Sequence, residues 1–202
     1  MKLRIRDAQA SDLDAVLGLN RNAGVSVTAL DPDSLLEQFR SAAYFRVAEA
    51  EDGTLAGFLI GTDHSGSNQD PGFSWFQAQG RDFVYIDRIV VGKPFRGHGL
   101  GRVLYADIIS FAEVRVPVIG CQISLDPADT ASLLFHASMG FTEATQKVDA
   151  GGARLGVMAR ELCSYPFVRE QYLADGLPAL PWLADRQLPD AGPACTSTQV
   201  QP

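Results

Sequence analysis

The chain has 202 residues, 46% of them hydrophobic, with a formal net charge of −7 and a pI near 4.9. That length suits one globular domain with a real core, or one domain plus an extension. The acidic balance argues against a general binder of nucleic acid or of an anionic membrane, either of which calls for a basic face.

No run approaches the ~18 apolar residues of a membrane span, and the start "MKLRIRDAQA" lacks the apolar stretch of a signal peptide. Cys121, Cys163 and Cys195 are odd in number and widely spaced, with no CxxC pair. The expectation is free thiols in a reducing cytoplasm and no metal site.

In chain order, "KLRIRDA" alternates Leu3 and Ile5 with charged residues and reads as a half-buried strand. Ser11 to Asn20 opens on a capping serine and spaces Leu13, Val16, Leu17 and Leu19 for a helix. Asp31 to Ser41 starts Asp-Pro and predicts a second helix. "YFRVAEAEDGTLAGFLIGTD" is a hairpin turning near Gly53. Residues 64–82 form a long polar connection that carries Phe73, Trp75 and Phe76, and a loop of that length inside a domain is functional or disordered.

"FVYIDRIVV" reads as a central strand, apolar except at Asp87 and Arg88. "GLGRVLYADIISFAEV" is a helix with Leu100, Val103, Leu104, Ile108 and Phe111 along one stripe. "PVIGCQISL" is a buried strand, "DPADTASLLFHASM" a helix ending at Gly140, and "FTEATQKVDAGGARLGVMARELC" a hairpin turning at Gly151-Gly152. Residues 164–202 hold six of the eleven prolines and end without periodicity. The expected division is a folded domain over 1–163 and a Pro-rich extension over 164–202, partly disordered at its end. The order of elements describes an α/β domain with a mixed sheet.

The stretch Arg96 to Arg102, "RGHGLGR", places three glycines at alternate positions between two arginines, where a strand passes into a helix. Amides of a first helical turn lack internal partners, and the helix dipole adds partial positive charge. Glycines let an anion approach those amides, and Arg96, Arg102 and Lys93 add charge. The reading is a pyrophosphate site, set against a glycine turn needed only for a tight reversal. A P-loop needs GxxxxGK[ST], which is absent, and the dinucleotide fingerprint would need a third glycine at 102 or 104, where Arg102 and Leu104 stand.

Arg96-Gly97-His98-Gly99-Leu100-Gly101 resembles the R/Q-x-x-G-x-G/A signature of the GNAT superfamily, the acyl-CoA-dependent N-acyltransferases. "IDRIVV" resembles that family's fourth strand, and "DPADTASLLFHASMGF" its "N-x-x-[A/S]-x-x-[L/F]-Y-x-x-x-GF" segment. The resemblance covers roughly 1–163. It implies a GNAT-like α/β fold: a mixed, mostly antiparallel sheet flanked by helices and splayed between the fourth and fifth strands. It implies acetyl-CoA as cosubstrate, without metal. The pyrophosphate would sit on Arg96, Gly97, His98, Gly99, Leu100, Gly101 and Arg102, and the pantetheine arm would pair with the backbone of Ile89, Val90 and Val91.

Acyl transfer to an amine needs a neutral nitrogen, a donor for the developing oxyanion and a proton for the leaving thiolate. The resemblance implies that an N–H of Val90 or Val91 is the donor and that Asp87 accepts the amine proton. For Asp87 the residues alone leave a salt bridge with Arg88 or another arginine equally open. His136 stands where the family's thiolate-protonating tyrosine stands; it delivers that proton, or solvent does, or, as the favoured reading, His136 serves as a CoA contact. Asp126 replaces the family's asparagine and reads as a helix cap, with Asp129 as a second capping candidate.

The acceptor side implied by the family is lined by "NRNAGVSVTALDPD" and by the long loop. Phe73, Trp75 and Phe76 either contact an apolar-bodied amine or fold that loop onto the core. The leading expectation is an N-acetyltransferase acting on a small-molecule or protein amine in the cytoplasm, with no nucleic-acid or membrane partner; the resemblance is compatible with a homodimer. A non-catalytic acyl-CoA sensor and a binder of another phosphate ligand remain as alternatives.

Overall fold

The computed structural model describes residues 2–24 and 27–172; the end of the Pro-rich extension, with Cys195, lies outside the described residues. Seven strands form one sheet: β1 (Leu3–Asp7), β2 (Tyr44–Ala50), β3 (Leu55–Asp63), β4 (Phe83–Val91), β5 (Val118–Ser124), β6 (Thr142–Val148) and β7 (Arg154–Glu161). Their spatial order is β1-β2-β3-β4-β5-β7-β6. Every neighbouring pair is antiparallel except β4 and β5, which are parallel. The mixed, mostly antiparallel sheet expected from the sequence is therefore present.

Helices cover both faces, because strands buried on two sides need apolar partners above and below. Helices α1 (Leu13–Arg21) and α2 (Pro32–Ser41) bury Val16, Leu17 and Leu35 against Phe45, Val47, Phe58, Ile60 and Val90. Helix α3 (Pro71–Ala78) lies on the same face, packing Phe73 and Phe76 onto Phe83, Tyr85, Val118 and Val157. Helix α4 (Leu100–Glu113) covers the opposite face with Leu100, Leu104, Tyr105, Ile108, Ile109 and Ala112. There it meets α5 (Thr130–Ser138), where Phe135 stacks edge-on to Tyr105 at 4.9 Å. A last helix, α6 (Tyr165–Tyr172), begins the extension. No described helix is long and apolar enough to cross a membrane.

Four local expectations are corrected. Residues 64–82 are not a structureless loop: Asp70-Pro71 opens α3, with proline in its first turn. The α4 stripe rotates toward Tyr105, Ile109 and Ala112, leaving Val103 53% exposed. Ser11 does not cap α1; it lies in a 3-10 turn (Ala10–Asp12), where the Asp12 carboxylate accepts from the Gln9 N–H at 2.7 Å and is gripped by Arg6 at 2.7 Å. Asp129, not Asp126, caps α5, accepting from the Ser132 N–H at 2.9 Å.

The seating of α3 depends on a bare backbone beneath it. A Cβ added at Gly120 of β5 would lie 2.1 Å from the Phe76 ring, which is itself buried. Gly120→Ala should therefore cost about 1–3 kcal/mol of stability by overpacking, read as a lower unfolding midpoint. An unchanged midpoint would mean that α3 is not held by this contact.

Candidate active site

β4 and β5 pair only from Phe83–Ile86 to Val118–Cys121. Beyond that point β4 continues to Val91 without a partner on this edge, and β5 continues to Ser124 pairing only with β7. The sheet is thus split at the C-terminal end of β4. Just where the split begins, the β3–β4 register jumps from Ile60↔Arg88 to Gly61↔Ile86, leaving Asp87 without a partner in β3. Such a bulge re-aims side chains. Here it turns both Asp87 and Arg88 to the α1–α3 face: Asp87 meets Thr62 and Asn68, and Arg88 meets Asn20 and Thr28. Ile89 and Val91 then pack on the α4 side.

Asp87 accepts hydrogen bonds from the Thr62 hydroxyl at 2.6 Å and from the Asn68 side-chain amide. Neither partner is charged. Burial pushes its carboxyl up to about 7, and the nearby Asp70 carboxylate adds to that push, while the two hydrogen bonds and Arg88 oppose it. The salt bridge left open by the sequence does not form. No ion pair within 4.0 Å joins Asp87 or Asp70 to a basic side chain among the described residues.

Sequence reasoning did not reach several groups around Asp87. Asp70, at the start of α3, is raised above the usual carboxylate range by burial, with Arg88, Tyr85 and Gln122 beside it pulling it down. The Tyr85 hydroxyl is buried without a hydrogen bond of good geometry, and burial pushes its pKa well up, so it keeps its proton. Gln122, on β5 past the split, accepts from the Gly72 N–H at 3.1 Å. The signals existed: Tyr85 and Asp87 alternate on one strand, and Asp70 precedes a proline. Phe73 and Phe76 are buried in the α3 core, where both rings pack edge-on to Tyr85 at 5.6 and 6.1 Å, while Trp75 meets Phe76 edge-on at 4.9 Å.

At the end of β4 the Gly92 N–H bonds to the Ala56 carbonyl at 2.9 Å. The alternation of an antiparallel ladder then directs the main-chain groups of Val90 toward β3 and those of Ile89 and Val91 into the split. Of the two donors proposed from sequence, Val90 is thus committed to the sheet and Val91 faces the opening, with Ile89 beside it. Gly97 and Gly99 follow with φ of +79° and +81°, and nothing lies within 4 Å of a Cβ added at either. Both need glycine for their backbone conformation; Gly101 does not. The first amide to find a helical acceptor is that of Val103, bonded to the Gly99 carbonyl at 3.1 Å. The N–H groups from Gly97 through Arg102 donate to no main-chain carbonyl among the described residues. His98 and Arg102 are exposed, while the Leu100 side chain is buried and anchors the helix start. Arg96 is engaged, donating to the Val91 carbonyl at 2.9 Å and the Ala23 carbonyl at 2.8 Å.

His136 lies 5% exposed on α5. Its Nδ1 is 2.7 Å from the Ser132 carbonyl and its Nε2 is 2.6 Å from the Tyr105 hydroxyl. A carbonyl can only accept, so the network assigns the proton to Nδ1 and makes Nε2 the acceptor of the tyrosine O–H. Burial lowers its pKa and favours the neutral ring. Cys121 is buried, and burial pushes its thiol pKa up, which disfavours a thiolate there.

The acetyltransferase (GNAT) family profile matches residues 18–141, more than half of the chain. The chain belongs to the GNAT family. As a GNAT acetyltransferase it moves an acetyl group from acetyl-CoA to an amine. Similar solved structures include Naa20 of Chaetomium thermophilum in complex with a bisubstrate analogue, at 16% identity and a TM-score of 0.66 over 86% of this chain and 94% of that one. Another is yncA of Salmonella typhimurium with its cofactor acetyl-CoA, at 24% identity and TM-score 0.60 over 80% and 95%. A third is the ribosomal-protein-alanine N-acetyltransferase of Brucella melitensis, at 26% identity and TM-score 0.60 over 79% and 99%. No curated protein matches the sequence.

The Asp87 environment has a stability signature. Its folded pKa is raised, so the group contributes most below the ordinary carboxylate pKa of 3.8, and that contribution is lost as pH rises through about 7. Asp87→Asn removes the buried charge. The variant should therefore gain on the wild type between pH 4 and 7 and stay ahead above it, by on the order of 1–3 kcal/mol. Thermal unfolding midpoints of both proteins across pH 4–9 measure this; a difference independent of pH would contradict it.

Proposed function

We propose that this GNAT enzyme acetylates its acceptor amine at the split between β4 and β5, with Asp87 as the base. The observation that carries this reading is a half-buried carboxylate at the mouth of the split, held by two neutral hydrogen-bond donors and by no cation among the described residues. An unpaired acid in that setting is costly for folding alone, and such groups cluster where proton transfer is needed.

The chain's residues fit acetyl-CoA. The open, left-handed positions at Gly97 and Gly99 leave a bare cradle before α4, and the unengaged amides through Arg102 supply donors for a pyrophosphate. Arg102 and Lys93 add exposed positive charge at its edge. Arg96 contributes by fixing the loop to the end of β4 and to the chain after α1. The main-chain groups of Ile89 and the Val91 N–H are available to the pantetheine arm as a sheet edge is to an added strand, while the Val91 carbonyl already accepts from Arg96. When bound, acetyl-CoA supplies the acetyl group and leaves as the thiolate.

Asp87 takes one proton from the acceptor ammonium, directly or through one water, so that the nitrogen lone pair forms the new C–N bond as the C–S bond breaks. The nitrogen's second proton passes to water, which protonates the departing thiolate. The Val91 N–H is placed to stabilise the charge that develops on the acetyl oxygen. We assign His136 a positioning role, because both of its nitrogens are engaged within the protein, and the thiolate takes its proton from solvent. This reading places the enzyme in the cytoplasm, where thiols such as Cys121 and Cys163 stay reduced.

Two experiments test it. Gly99→Glu puts a carboxylate before α4 with space around it, at a strain cost of roughly 1–2 kcal/mol. It should remain folded by circular dichroism yet show no heat of CoA binding by calorimetry; wild-type affinity would refute the site. In a thiol-release assay, wild-type kcat/KM should rise with pH through about 7, as Asp87 ionises. Asp87→Asn should lose that limb and about 10²–10⁴-fold in rate, whereas His136→Asn should keep the limb. A limb that survives in Asp87→Asn, or vanishes in His136→Asn, would reverse the two assignments.

A further inference from the structure

Arg88, the residue after the bulge, is held from one side only. Its Nη1 donates to the Asn20 side-chain oxygen at 2.8 Å and to the Thr28 carbonyl at 2.5 Å, while Asn20, itself buried, braces that carbonyl through its own amide at 3.2 Å. The Nε–H is buried and makes no hydrogen bond, and the Nη2 group makes none among the described residues. A guanidinium is charged at every working pH, so an unpartnered buried N–H on it carries a desolvation cost and is open to an acceptor that the protein does not supply. The nearest acids do not supply it, since neither Asp70 nor Asp87 approaches within ion-pair distance. A second orphan polar atom, the Tyr85 hydroxyl, points into the same cluster.

Resting on the acetyl-transfer reading above, we propose that the acceptor is a free α-amino acid, its carboxylate received by Arg88 and its amine presented to Asp87. The unused Nε–H and Nη2 edge of an arginine is a planar fork that matches a carboxylate with two parallel hydrogen bonds. Asn20 and the Thr28 carbonyl hold that fork in one orientation before any ligand arrives. Asp87 directly precedes Arg88, and the bulge turns both side chains to one face. The charges of Asp87 and Asp70 act on the guanidinium, so an ammonium next to the bound carboxylate meets acidic surroundings. One molecule with adjacent opposite charges satisfies both halves. The same two acids disfavour a dianion such as phosphate at Arg88, and a peptide N-terminus, whose neighbouring carbonyl is an amide, leaves the fork without a charged partner.

The test is a thiol-release assay on matched triplets that differ only at the carboxyl group: leucine, leucinamide and isoamylamine, then the same series for methionine and phenylalanine. For at least one side chain, kcat/KM should favour the amino acid over its amide and its amine by on the order of 10²-fold. Arg88→Gln should bring that ratio close to one, and Arg88→Lys, which keeps the charge but loses the fork, should fall between. Acetyl-CoA affinity by calorimetry should stay at the wild-type value in both variants, which separates a lost acceptor contact from a lost fold. Amides and amines used as well as the amino acids, or a preference that survives Arg88→Gln, would overturn the proposal while leaving the acetyl-transfer reading intact. No turnover in any series, with acetyl-CoA still bound, would instead sink amine acetylation at this site, and the amino-acid acceptor with it.

Discussion

Two parallel strands, β4 and β5, stop pairing after Ile86 and Cys121, and the site grows from that separation. Main-chain donors and acceptors inside a protein must find partners or lose free energy. Here those of Ile89 and Val91 are turned away from β3 with no strand on the other side, and only the Val91 carbonyl finds a partner, the Arg96 side chain, so the fold itself maintains an open edge. The bulge at Asp87 sits at the branch point and delivers two consecutive side chains to one face. In an uninterrupted strand, Asp87 and Arg88 would lie on opposite sides of the sheet.

Each half of the proposed binding region is built by a different device. On the α4 side the device is a left-handed turn at Gly97 and Gly99, which leaves a row of amides unmatched at a helix start. On the α1–α3 side it is a set of polar side chains fixed by neutral neighbours: Thr62 and Asn68 on Asp87, Asn20 on Arg88. Opposite charges placed side by side in the chain remain unpaired because each is tied elsewhere. That arrangement lowers folding stability locally and leaves both groups available to a ligand.

Much of this was legible in the sequence. The strand and helix order followed from periodicity, the α2 cap from Asp31-Pro32, and the glycine turn that opens α4 from three glycines after an apolar strand. Asp87 stood out because an acid in an apolar strand needs a reason. What was not legible depends on contacts distant in the chain. The bulge arises from the β3 register, which no local pattern records. Asp70, Tyr85 and Gln122 come from three separate elements, and only packing brings them together. The apolar spacing of Phe73 and Phe76 is too short to announce α3, although Asp70-Pro71 carried the start signal. His136 was recognisable by its place before Met139-Gly140-Phe141, yet the sequence could not show that Tyr105 and the Ser132 carbonyl would occupy its two nitrogens.

A crystal structure of the protein with CoA decides whether the glycine turn and the split strands hold the ligand. Diphosphate oxygens should lie within hydrogen-bonding distance of the amides between Gly97 and Arg102, with the pantetheine running beside Ile89 and Val91 toward Asp87. CoA bound on another surface, or a β4–β5 edge closed by protein groups in the complex, would contradict it.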